Sequence, residues 1–125
     1  MTLDRLSQYV LLDDARSVGA APARLYRHPV AEVTAESVAD VPALLSALRQ
    51  AQKDGLHAAG YLHYAAGFAL EPKLAPLAAQ ETGRVAWFGL YEGGDSIDPD
   101  VVPAFLPEAA GAYLGPITPD LSPSD

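Results

Sequence analysis

Cysteine is absent from all 125 residues, which excludes disulfides, thiolate metal sites and thiol nucleophiles. Cations are scarce: eight Lys and Arg stand against sixteen Asp and Glu, for a formal net charge of −8 at pH 7. Phosphate backbones are bound by clustered Lys and Arg that release counterions, so a scattered basic set argues against nucleic acid as a partner. No apolar run approaches the ~18 residues of a membrane-spanning helix. The opening Met1 to Gln8 has no basic stretch followed by an apolar one, so the expectation is a soluble, cytoplasmic protein without a membrane partner. Gly-x-Gly-x-x-Gly, the P-loop and Gly-x-Ser-x-Gly are also missing. A phosphate cradle and a serine elbow therefore have no support.

Half of the residues are apolar, a globular composition in a chain long enough to bury roughly two-thirds of its unfolded surface as one domain. Tyr9-Val10-Leu11-Leu12 is a β-prone run ended by Asp13-Asp14, and a loop follows from Ser17 to Pro22. Arg24-Leu25-Tyr26 and Val30 to Val33 are further short strands. His28-Pro29 between them removes a ladder donor, which places both at an edge or a bend. Val41, Leu44, Leu45 and Leu48 recur at i, i+3, i+4 and i+7, the stripe of an amphipathic helix running from an Asp40 cap to about Lys53 and closed by Gly55. From Leu56 through Gly60 to Tyr64 the pattern reads as a central strand, and Arg84 to Tyr91 as a second strong one ended by the Gly93-Gly94-Asp95 turn. Prolines at 99, 103, 107, 116, 119 and 123 restrict the tail to a helical turn near Asp100 and a short strand at Ala112 to Leu114. The expected class is α+β, a mostly antiparallel sheet with one main amphipathic helix.

Chemistry is harder to find. His57 and His63 share strand parity but lie ~20 Å apart at ~3.3 Å per residue, too far to ligate one ion. Asp13 and Asp14 read as strand-ending turn residues, with ligand contact as the alternative, and the aromatics between Gly60 and Phe68 read as core. No nucleophile–base pair is discernible.

Read as strings, four segments resemble one family in order. Tyr9-Val10-Leu11-Leu12-Asp13-Asp14-Ala15-Arg16 with Ala23-Arg24-Leu25-Tyr26-Arg27-His28-Pro29 is similar to the opening of aminodeoxychorismate synthase component I. Gly55-Leu56-His57-Ala58-Ala59-Gly60-Tyr61-Leu62-His63-Tyr64-Ala65-Ala66-Gly67-Phe68-Ala69-Leu70-Glu71-Pro72, Trp87-Phe88-Gly89-Leu90-Tyr91 and Ala112-Tyr113-Leu114-Gly115-Pro116 resemble its later blocks.

The resemblance implies an amino-terminal domain over residues 1–118, with residues 119–125 as a linker toward a chorismate-binding catalytic domain. In that family chorismate is aminated, with magnesium and with ammonia from a glutamine amidotransferase subunit, on the way to p-aminobenzoate and folate. The chorismate and magnesium residues belong to the other domain, so the resemblance implies no catalytic residue, metal ligand or cofactor in this chain. Anthranilate synthase component I is the related alternative, and a stand-alone aromatic amino acid sensor is another. The resemblance also implies an effector pocket at Asp14, Arg24, Leu25 and Tyr26. Asp14 puts a carboxylate where the family has a hydroxyl, and Ala65 replaces an acidic residue. Tyr61 to Phe68 and Trp87 to Tyr91 are the expected surfaces of a homodimer when the domain stands alone.

Overall fold

The computed structural model describes residues 8–107 and 109–118; the linker expected at 119–125 lies outside them. Eight elements follow one another: β1 (Tyr9–Leu12), β2 (Ala23–Arg27), β3 (Ala31–Ala35), α1 (Val41–Lys53), β4 (His57–Leu62), α2 (Ala75–Ala78), β5 (Ala86–Tyr91) and β6 (Asp95–Ile97), with short 3-10 turns between several of them. The class is α+β. The strands form two three-stranded antiparallel sheets, ordered β1-β2-β6 and β3-β5-β4, where the sequence suggests one sheet.

The chain passes between the sheets at two places, one with an unusual backbone conformation and one with a close side-chain approach. His28, between β2 and β3, has φ 59°, a left-handed conformation that histidine tolerates better than β-branched residues. The strand-breaking pair His28-Pro29 thus ends one sheet and starts the other. The return is made by Gly93-Gly94, where a Cβ on Gly94 would stand 2.7 Å from the Tyr26 ring. Only a bare backbone fits there.

Helix α1 covers one face of β3-β5-β4. Val41 and Leu44 are buried with Ala35, Val38, Ala66, Val85 and Ala86, and Leu45, Leu48, Phe68 and Phe88 pack around them. Gly55 at φ 82° terminates the helix as its sequence requires. The Asp40 carboxylate, expected to cap α1, instead accepts from the Ser37 amide and hydroxyl, both at 3.0 Å. A 3-10 turn at Val38–Asp40 precedes the helix, so its entry is capped one turn earlier.

Four other expectations are corrected. β2 is the middle strand of its sheet, while β3 is an edge; β2 carries neither His28 nor Pro29, so its amides are free to pair on both sides. β4 is an edge and β5 the centre. Tyr61 and Tyr64 are 49% and 90% exposed and do not belong to the core. Ala112 to Leu114 forms no strand and is exposed, with Pro116 close behind it. Among the described residues no helix is long and apolar enough to cross a membrane.

Candidate functional site

The β1–β2 hairpin places Asp14 two residues beyond the Leu12–Arg24 pair, which brings its carboxylate to the far side of the loop. There it accepts from the Ala21 amide at 2.9 Å and from the Arg16 Nε and Nη2 at 2.9 and 2.6 Å. The Arg16 guanidinium, and then the Ala21 amide, hold the Asp14 carboxyl down at about 2. Asp14 is therefore an ionised loop clamp whose lone pairs are already engaged. A ligand ammonium would have to displace Arg16 to use it.

The other expected effector residues lie along β2. Strand alternation sends Arg24 and Tyr26 to one face and Leu25 to the other; Leu25 is 1% exposed and Arg24 is exposed. Arg24 makes no ion pair among the described residues. The structure thus brings Arg24 and Tyr26 together, buries Leu25 behind them, and keeps Asp14 at the hairpin's end. The four do not line one cavity.

Tyr26 is the bridge between the sheets. Its ring centroid lies 5.4 Å from Tyr91 and 6.2 Å from His57, separations typical of favourable aromatic pairs. Tyr91 is fully buried and its ring end lies over Gly89, where a Cβ would come within 2.4 Å of the phenol oxygen. That hydroxyl has no hydrogen-bond partner among the described residues. Burial first, then the negative charge of Glu32, raises the Tyr91 phenol above its ordinary range. It is a neutral donor, not a base. Glu32, beside Gly89 in register, accepts from the Trp87 indole at 2.9 Å. Trp87 in turn has Thr34 and Tyr61 as its cross-strand neighbours, so this face presents an aromatic strip ending at the inter-sheet junction.

The Tyr91 hydroxyl is buried and the Trp87 indole N–H is taken by Glu32, so the face offers aromatic surface, and it contains no nucleophile with a base beside it. His63 is exposed, and its Nδ1 is engaged: it accepts from the Ala65 amide at 3.1 Å and caps the following turn. Among the described residues, no group of three His, Cys, Asp or Glu is placed to hold a metal ion. Sequence reading missed the Tyr26–Tyr91 junction and the Glu32–Trp87 bond. The only signal was Tyr91 ending an otherwise apolar strand opposite a glutamate-bearing one.

No family model, curated protein or solved structure matches this chain.

Proposed function

We propose that this chain is the non-catalytic amino-terminal domain of an aminodeoxychorismate synthase component I. It serves as a scaffold for a chorismate-binding domain and, through it, for a glutamine amidotransferase subunit in cytoplasmic p-aminobenzoate synthesis. The support is the ordered run of four sequence blocks similar to that family. Magnesium and the chorismate-contacting groups belong, on this reading, to the partner domain. The exposed apolar side chains Tyr61, Leu62, Tyr64 and Leu70 cluster in the block resembling the family most extensively, and we assign the domain contact to them. The aromatic amino acid pocket is assigned to the Arg24–Tyr26 side of the inter-sheet junction, with Asp14 as a loop clamp.

The test is to add this chain to a chorismate-binding domain of the same family prepared alone. The expected result is a stable complex on gel filtration that Tyr64→Glu and Leu62→Glu weaken. The chain alone should consume no chorismate with magnesium and ammonia, followed by chorismate absorbance. Failure to form any complex, or turnover by the isolated chain, would overturn the reading.

A further inference from the structure

Between the outer side of α1 and the edge strand β4 lies an open groove of about 580 Å³, within the size range of small-molecule sites. Leu45 and Leu48 from the helix, with Leu56 and Ala58 beyond its end, give it an apolar floor, and Arg49, Gln52 and His57 line it as well. It exists because of how α1 is set on the sheet. The helix directs Val41 and Leu44 into the core, and the next members of the stripe, Leu45 and Leu48, are left half-buried with one flank toward solvent.

The charge of this lining is opposite to that of the molecule. Acidic residues outnumber basic ones sixteen to eight along the chain, yet no Asp or Glu lines the groove. Three arginines are held in ion pairs, with Asp14, Asp95 and Glu36, whereas Arg49 has no ion-pair partner among the described residues. A guanidinium beside an apolar floor, with an amide donor one helical turn along at Gln52, matches an anionic head on an apolar body.

We propose that the α1–β4 groove binds a small amphipathic carboxylate, its aromatic or aliphatic body on Leu45, Leu48 and Leu56 and its carboxylate on Arg49. The site adjoins the pocket assigned to Arg24 and Tyr26 through His57, which lines the groove and whose ring stands 6.2 Å from Tyr26, but it does not depend on the family reading. Because the whole molecule repels anions, a bound carboxylate here reports local recognition and not bulk attraction.

The probe is 3-phenylpropionate, titrated into the full chain labelled with ¹⁵N, with the neutral isostere 3-phenylpropionamide alongside. Binding on the order of 1 mM is expected for so small a ligand, with amide shifts at Leu45 to Gln52 and Gly55 to Ala58. The amide should bind about tenfold more weakly, as should the acid to Arg49→Gln, from loss of a charge-assisted hydrogen bond. Lys53→Gln, which removes an exposed cation that does not line the groove, should leave affinity unchanged. Arg49 is exposed, so its neutralisation keeps the fold, and an unaltered spectrum elsewhere verifies this. Equal affinity for acid and amide, shifts centred outside the groove, equal losses in Arg49→Gln and Lys53→Gln, or no saturable shifts at ~20 mM each overturn the proposal.

Discussion

Tyr91 shows how one side chain joins the sheets at a cost. Its ring lies across Gly89 and against Tyr26, which removes a large apolar surface from water, but its hydroxyl is buried with no partner among the described residues. An unmet buried hydroxyl costs about 1–3 kcal/mol. Tyr91→Phe keeps the ring and removes that penalty, so denaturant unfolding should show a stability equal to or roughly 1 kcal/mol above that of the parent; a clear loss would mean the hydroxyl is satisfied. The phenol also gives a pH signature. Its folded pKa is raised, so its contribution is fully present below the unfolded phenol value and is lost as pH climbs through the folded one. Alkaline unfolding should accordingly be blunted in Tyr91→Phe. Asp14 has the opposite sign: with a folded value of about 2, below the 3.8 of a free aspartate, its contribution is present at neutral pH and is lost as pH falls through the folded value. A carboxyl titration followed by NMR should place Asp14 well below the 3.8 of a free aspartate, and Arg16→Gln should move it upward.

At the level of elements, β5 carries the organisation because it pairs on both sides, with β3 and with β4. The β4–β5 pairing is so close that a Cβ on Gly60 would lie 2.0 Å from the Trp87 carbonyl oxygen and 2.7 Å from the Phe88 Cα. Both are backbone atoms and neither can rotate away. Gly60→Ala should therefore cost about 3 kcal/mol by prying β4 from β5, whereas Gly67→Ala, with nothing within 4 Å of its Cβ, should be near neutral. Comparing the two by chemical denaturation separates steric closeness from glycine's entropy. Helix α1 depends on the same sheet. Leu44 is 3% exposed at its centre, and Leu44→Ala should cost about 2–4 kcal/mol through lost burial and a residual cavity. A loss under 1 kcal/mol would mean that the helix is not seated as described.

The molecule as a whole leaves much apolar surface uncovered. Tyr64, Tyr113, Leu114 and Ile117 are each more than four-fifths exposed, and Leu62 and Tyr61 about half. Two features favour association: β4 is an edge with unpaired backbone groups, and it ends beside Tyr64. The proposed scaffold role assigns this surface to a catalytic domain, and in its absence a second copy is the available partner. Light scattering during gel filtration at ~100 µM should give twice the 13.1 kDa of one chain, and Tyr64→Glu with Leu62→Glu should return it to a monomer. The charge of −8 opposes this only within the ~8 Å over which charges act at physiological salt.

Properties determined by neighbours along the chain were legible in the sequence. The α1 stripe, the Gly55 stop, the strands at Tyr9–Leu12 and Ala86–Tyr91 and the break at His28-Pro29 all rest on periodicity or on backbone restrictions, which act over a few residues. The four residues marked as an effector site also fell where a strand and its turn were expected. What the sequence could not determine was which strands meet. That depends on pairing between residues 50 to 70 positions apart, such as Glu32 with Trp87 and Arg27 with Asp95. It decided that β2 rather than β4 sits inside a sheet and that Tyr91 is buried while Tyr64 is bare. Local pattern gives each segment its conformation and its apolar side, but only tertiary contact decides whether that side is covered.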